Sequence, residues 1–132
     1  MIMTTPAGKK LRQMIEERRA LLVPGVMNAL AARVAEDLGF EALYITGAGV
    51  TNALLGLPDV GFISPTQITD TISQVRNITE LPLIVDGDTG FGNAVNVRQT
   101  VRSFERAGAN AIQLEDQIFP KRCGHFDGKG VI

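Results

Sequence analysis

Short apolar runs alternate along this chain with longer stretches in which apolar residues recur every three or four positions. The first pattern is that of a buried strand, and the second that of a helix with one apolar face. Residues 9–19 predict a first helix, with Leu11, Met14 and Ile15 on one side and charges elsewhere. Residues 21–24 predict a short strand that Pro24-Gly25 stops. Asn28 is placed to cap a second helix, in which Leu30, Val34 and Leu38 recur at intervals of four while Arg33, Glu36 and Asp37 face out. Gly39 ends it. Residues 42–45 form the next strand, which opens into Thr46-Gly-Ala-Gly49, a glycine-bearing loop whose N–H groups suit an anion. Residues 51–62 read as irregular, because Gly56, Pro58 and Gly61 break any period, and they carry one isolated acid, Asp59.

Ser64-Pro-Thr-Gln67 has the form of a helix start: a serine cap, proline at the first helical position and glutamine where a capping box needs it. Ile68, Ile72 and Val75 share one face of that helix. Leu83, Ile84 and Val85, bounded by Pro82 and Gly87, suit a strand covered on both faces. Val97, Val101 and Phe104 mark another helix that Gly108 ends. Residues 111–115 give a fourth strand, ending in Glu115-Asp116. Residues 121–130 are polar and glycine-rich and read as a mobile loop. Strand then helix, four times over, predicts an α/β fold with a parallel sheet and right-handed crossovers. Polar residues gather after the strands, which marks the active edge of a barrel or an open sheet. A closed barrel takes about 250 residues. Four units supply half a barrel or a small open sheet.

Composition narrows the class. The chain has 132 residues, 45% of them hydrophobic, and a net charge of -1. That describes one soluble globular unit. Thirteen basic against fourteen acidic residues leave no bulk positive field for nucleic acid. Lys9, Lys10, Arg12, Arg18 and Arg19 read as a solvated helix face. No apolar run is long enough to span a bilayer. The N-terminus lacks the order of a signal peptide, which places the chain in the cytoplasm. One cysteine permits no internal disulfide.

The chemistry gathers around Asp86-Gly-Asp88-Thr-Gly-Phe-Gly92. Residues two apart on an extended backbone point the same way, so Asp86 and Asp88 are aimed into one space at the end of their strand. Like charges that close call for a shared proton or a hard cation such as Mg2+, and the cation is the favoured reading. Glu115, at the end of the next strand, adds a third carboxylate. Any one of these acids is explained as a helix cap; three on adjacent strands are not. The segment also resembles the aspartyl-nucleophile signature of haloacid-dehalogenase-type phosphatases. That signature, however, needs threonine or valine where Gly90 stands. Cys123 lies among Lys121, Arg122 and His125, a positive setting that favours thiolate and suits proton transfer. Cys123 and His125 alone are too few for structural zinc. His125 suits anion binding, and Tyr44 suits the core. Gly47 and Gly49 are turn residues lying at the same sheet edge as the acids.

Six stretches together resemble the isocitrate lyase and phosphoenolpyruvate mutase superfamily: Pro24-Gly-Val-Met-Asn-Ala29, Tyr44-Ile-Thr-Gly-Ala-Gly49, Gly56-Leu-Pro-Asp-Val-Gly61, Asp86-Gly-Asp-Thr-Gly-Phe-Gly92, Glu115-Asp-Gln117 and Lys121-Arg-Cys-Gly-His125. The resemblance is nearest to the branch of lyases acting on 2-methylisocitrate or 2,3-dimethylmalate. It implies a (β/α)8 TIM barrel, of which residues 1–132 are the N-terminal part with four β/α units, and a mobile catalytic loop at 117–130. It also implies a homo-oligomer, a tetramer in full-length relatives, with no nucleic-acid or membrane partner. By the same resemblance Asp86, Asp88 and Glu115 hold Mg2+, with Mn2+ as a substitute. Thr46, Gly47 and Ala48 bind the carboxylate of a 2-oxo acid, and Asp59 supports the metal and substrate end. Tyr44 helps take the substrate's hydroxyl proton. Cys123 protonates the departing carbanion, and Lys121, Gly124 and His125 shape the closing loop.

The implied reaction is Mg2+-dependent carbon–carbon cleavage of a 2-hydroxy di- or tricarboxylate to a 2-oxo acid and a second carboxylate. The strands that carry the rest of a substrate site in the family lie beyond residue 132, so weak or no turnover is expected of these residues alone. Thr46 stands where serine is common in the family. The other readings are an oxaloacetate decarboxylase-like or phosphonate mutase-like relative, a non-catalytic paralogue that binds 2-oxo acids, and a phosphotransfer enzyme using Asp86 as nucleophile.

Overall fold

The computed structural model describes residues 5–17 and 20–132. Nine elements follow in order: α1 (Pro6–Glu16), β1 (Gly25–Val26), α2 (Ala29–Asp37), β2 (Leu43–Ile45), α3 (Gly47–Leu55), α4 (Pro65–Arg76), β3 (Leu83–Asp86), α5 (Ala94–Ala107) and β4 (Ala111–Gln113). The four strands form one parallel sheet in sequential order, β1-β2-β3-β4. Parallel neighbours in that order require crossovers of one hand, which lay the intervening helices on one face. The buried strand residues Val26, Leu43, Ile45, Leu83 and Val85 meet Ala32 and Ala35 of α2, Ile68, Ile72 and Val75 of α4, and Phe104 of α5 in one core. This is the expected α/β class, with the strand order and connectivity of a partial barrel.

Local chemistry sets the helix ends. Thr5 caps α1, its Oγ1 accepting from Gly8 N at 3.1 Å, so this helix begins at Pro6 and not at residue 9. Leu11 and Met14 are buried as expected, but Ile15 is exposed, and residues 18 and 19 lie outside the described residues. The capping box at α4 forms as read: Gln67 N donates to Ser64 Oγ and Ser64 N to Gln67 Oε1. Asn28 Oδ1 accepts from Ala31 N at 2.8 Å to start α2. Gly108, at φ 113°, ends α5 in a conformation that side chains rarely adopt.

Four expectations are corrected. The first strand is Gly25–Val26, not residues 21–24, because β2 is short and its first bond to this segment runs from Tyr44 N to Pro24 O; Leu22, with no strand opposite, is exposed. The Thr46-Gly-Ala-Gly49 stretch is no loop but the start of α3, capped by Thr46 Oγ1 accepting from Gly49 N. The helix runs on to Leu55, so only the latter part of residues 51–62 is irregular. In α2 the packed face is Ala32 and Ala35, while Leu30, Val34 and Leu38 are 74%, 51% and 72% exposed. Small side chains let the helix approach the sheet closely, and the larger row is turned away. Finally, β3 is covered on one face only: Leu83 and Val85 are buried against helices, and Ile84 is half-buried on the other side.

Candidate active site

The register places the site. Tyr44 pairs with Ile84, and Asp86 with Gln113, so alternate residues of three strands share the face that the helices leave open. Tyr44 Oη donates to Gln113 Oε1 at 3.2 Å across this face. Asp86 is the last residue of β3, and beyond it the chain turns sharply. Asp88, at φ 47°, lies in the left-handed region that aspartate tolerates, and its N–H donates to Asp86 Oδ1 at 3.1 Å. The other oxygen, Asp86 Oδ2, accepts from Gly47 N at 3.1 Å. This bond aims the positive end of α3 at the carboxylate.

Gly47 is fixed by this approach. A Cβ there would lie 3.0 Å from Asp86 Oδ2 and 3.3 Å from Asp88 Oδ1, so both carboxylates close over a position where only hydrogen fits. Ala48 N–H, next along α3, has no hydrogen-bond partner among the described residues and remains available to an anion. The Thr46 hydroxyl is engaged in the cap.

Two residues far apart in sequence complete the cluster. Lys121 is 2% exposed, and its Nζ donates to Asp59 Oδ2 at 2.7 Å and lies 2.7 Å from Oδ1 of the same carboxylate. Nζ also stands 2.6 Å from Asp88 Oδ1, an ion pair whose angle leaves that oxygen without an aligned donor. Burial works against the lysine's charge, but the hydrogen bonds and charges of Asp59 and Asp88 outweigh it and hold its pKa above the ordinary value. The Asp88 carboxyl is pushed up to about 6, mainly by burial and further by Asp86 and Asp59, against the pull of Lys121. Glu115 is pushed up by burial and by the charges of Asp86 and Asp59, with Lys121 and Gln117 opposing. Asp59 and Asp88 thus share one ammonium, with the charges of Asp86 and Glu115 close by, and the excess negative charge is what a further cation would balance.

The remaining expected residues lie on the segment after β4. Glu115 N donates to Asp88 O, and Glu115 Oε2 accepts from Gln117 Nε2 at 2.7 Å. Gln117 also bonds Arg122 through both main-chain groups, tying Glu115 to the start of the loop. Cys123 is half-buried, and its N–H donates to Asp59 O at 2.9 Å. Gly124 and His125 are exposed, and Gly124 O accepts from Lys129 Nζ. One sequence reading changes here. Lys121 lends no uncompensated positive field to Cys123, because its charge is spent on Asp59 and Asp88. Tyr44 is pushed up by burial and then by Asp86, Glu115 and Asp88, which holds it as a protonated donor in this arrangement. Gln113 carried no sequence signal beyond being a polar residue near a strand end, Gln117 only its place in a stretch of the resemblance, and the Asp59–Lys121 pair, 62 residues apart, carried none as a pair.

Among the described residues no three carboxylates, imidazoles or thiolates converge closely enough to enclose an ion by themselves. Asp86 and Asp88 nevertheless offer hard oxygens, and Asp88 Oδ1 is buried without an aligned donor. That fits Mg2+ or Mn2+, which bind through one or two carboxylates and keep several waters. It does not fit a soft-ligand zinc site.

Parallel strands in sequential order, with the acids and a helix N-terminus at their carboxyl ends, define an α/β protein of the barrel type that works above its strand ends. Residues 11–129 match the phosphoenolpyruvate phosphomutase family, and the chain belongs to it, within the PEP mutase/isocitrate lyase superfamily. It is 50% identical over 125 residues to 2-methylisocitrate lyase of Aeropyrum pernix, covering 95% of this chain and 40% of that enzyme. The crystal structure of 2,3-dimethylmalate lyase superposes with a TM-score of 0.89 at 38% identity, over 97% of this chain and 43% of that one. Phosphonopyruvate hydrolase in complex with oxalate and Mg2+ superposes with a TM-score of 0.83 at 35% identity, over 89% and 41%. The chain therefore spans well under half the length of these relatives.

Proposed function

We propose that the protein is a divalent-metal-dependent carbon–carbon lyase that splits a 2-hydroxy di- or tricarboxylate into a 2-oxo acid and a second carboxylate. The carrying observation is that Asp86 Oδ2 and Asp88 Oδ1 close over Gly47, at the N-terminus of α3. A cation and an anion thereby have adjoining places. Asp86 would hold Mg2+ or Mn2+, with Asp88 and Glu115 holding its waters, and the ion would supply Lewis-acid stabilisation of the alkoxide and of the oxo acid. Ala48 N–H and the α3 N-terminus bind the carboxylate of the 2-oxo acid half. Tyr44, a donor, orients the substrate oxygen. The hydroxyl proton passes to a solvent water beside Tyr44, the oxygen forms the C2 carbonyl as the C2–C3 bond breaks, and the electron pair of that bond stays on C3, beside the second carboxylate. Cys123 Sγ–H donates a proton to C3, and the loop with Lys121, Gly124 and His125 closes over the site and excludes water. The names of these similar proteins favour 2-methylisocitrate and 2,3-dimethylmalate as substrates. The protein works in the cytoplasm as a homo-oligomer, a reading that the exposed apolar row of α2 supports.

The test is a substrate panel of 2-methylisocitrate, 2,3-dimethylmalate and oxaloacetate, incubated with the intact protein and Mg2+, with products separated by mass. The proposal expects pyruvate with succinate from the first or with propionate from the second. Turnover of oxaloacetate alone would move the assignment to the decarboxylase-like reading. Capture of pyruvate with no cleavage of any substrate would favour the non-catalytic one.

A further inference from the structure

The turn after β3 has an unfavourable backbone shape. Asp88, Gly90, Phe91 and Gly92 all have positive φ, at 47°, 88°, 62° and 144°, and two of them are not glycine. Such a run persists only where its surroundings over-determine it. Within the turn, Gly90 N donates to Gly87 O at 2.8 Å, and on the β4 side Glu115 N donates to Asp88 O at 2.8 Å. The hold on its far end comes from α5. Phe104 meets the Phe91 ring edge-on, with centroids 6.2 Å apart, and Thr100, one helical turn earlier, donates from Oγ1 to Gly90 O at 3.0 Å. Among the described residues no other donor reaches that carbonyl. Other hydroxyls of this fold behave differently. A helical serine or threonine commonly returns its proton to the carbonyl four residues back, and Thr51, Thr69, Thr71 and Ser73 all do so. Thr100, 5% exposed in the middle of α5, sends its proton out of the helix instead.

We propose that Thr100 is a positioning residue for the acid pair: its bond to Gly90 O fixes the turn that sets the Asp88 carboxylate beside Asp86. The inference rests on the reading of Asp86 and Asp88 as the cation end of the site. Thr100 touches neither acid and acts through two residues of backbone. Gly90 has no slack to absorb its loss, because its α-carbon packs so closely on Val97 of α5 that a Cβ there would strike that side chain. With the hydroxyl gone, a buried carbonyl loses its donor and the left-handed run loses its tie to α5. The Asp88 carboxylate then no longer has one fixed place relative to Asp86, and a cation bound between them must supply the ordering that Thr100 now provides.

Two readouts besides activity test this on the intact protein. Thr100→Val keeps the shape and removes the donor, Thr100→Ser keeps the donor, and Thr71→Val removes a buried hydroxyl that bonds only within α4. By titration calorimetry Thr100→Val is expected to bind Mg2+ ~10-fold more weakly, the size seen when a group behind a metal site is lost. Thr100→Ser and Thr71→Val are expected to bind as the wild type does, whatever each costs in stability. Hydrogen exchange read on peptides should show residues 87–92 of the wild type opening no more readily than α5 around Thr100, and several-fold more readily in Thr100→Val. Wild-type affinity in a folded Thr100→Val overturns the proposal, as does failure of Thr100→Ser to restore binding or equal weakening by Thr71→Val. Rapid exchange at 87–92 in a wild type whose α5 stays protected overturns it with no variant needed. Absence of Mg2+ binding by the wild type would instead overturn the cation reading, and the exchange comparison alone then decides whether Thr100 holds the turn.

Discussion

Asp86 and Asp88 were legible because strand geometry is simple: residues two apart share a face, and an apolar run ending in two acids places both at the sheet edge. Asp59 came to this end of the site only through the family resemblance, and its pairing with Lys121 was not disclosed, since no local rule relates residues 62 positions apart. Nor did the sequence show that Gly47 is needed for space as well as for turning. Gly47→Ala would push a methyl group to within 3.0 Å of Asp86 Oδ2 and displace the carboxylate. We expect it to fold, by circular dichroism, while losing ~10–100-fold in Mg2+ affinity, the size seen when groups that orient ligands are disturbed. Cys123→Ser has a different signature. It should leave Mg2+ affinity unchanged and lower the rate of cleavage by ~100-fold or more, the usual worth of a positioned acid. Survival of cleavage at the wild-type rate would remove the thiol from the mechanism.

Element by element, the sequence was most informative where capping chemistry is explicit. Ser64-Pro-Thr-Gln67 formed its box, and Ser64→Ala should cost ~1 kcal/mol in denaturant unfolding without touching the site. It failed where packing distance decides. Glycines at the start of α3 suggested a loop, yet Thr46 caps a helix there, and one N–H of that helix serves the Asp86 carboxylate. The α2 reading favoured large residues over alanines, because spacing counts volume and does not measure how close a helix must come to the sheet. Arg76 was likewise silent in the sequence. At the end of α4 it donates to the carbonyls of Thr79, Leu81 and Gly108 and to Asn110 Oδ1, joining α4 to the approaches of β3 and β4. Arg76→Lys keeps the charge but not the planar fork. It should destabilise by about 1–3 kcal/mol, the cost of leaving part-buried acceptors unpaired, and unfolding in urea reads this directly.

Over the whole molecule, the parallel order and the single layer of crossover helices followed from the repeat of strand and helix. The open face did not, because a run of three apolar residues in β3 reads the same whether one side or both are covered. That face carries Tyr44, Ile84 and Gln113, and the site lies along its carboxyl edge. The chain covers 40% of the Aeropyrum pernix lyase and 43% of 2,3-dimethylmalate lyase, well under half of either. The exposed Leu30, Val34 and Leu38 suit contact between subunits, and sedimentation equilibrium of the intact protein should give a mass above that of one subunit. A single-subunit mass would contradict the oligomer.

All of these expectations depend on the acid cluster at the end of β3 being a cation site. The measurement that tests it is a calorimetric Mg2+ titration of the wild type, of Asp86→Asn and of Ser64→Ala as a control remote from the acids. One Mg2+ per chain in the wild type and in Ser64→Ala, with affinity lower by at least ~100-fold in Asp86→Asn, is the predicted result. Equal binding by wild type and Asp86→Asn, or no binding by any of the three, would contradict it.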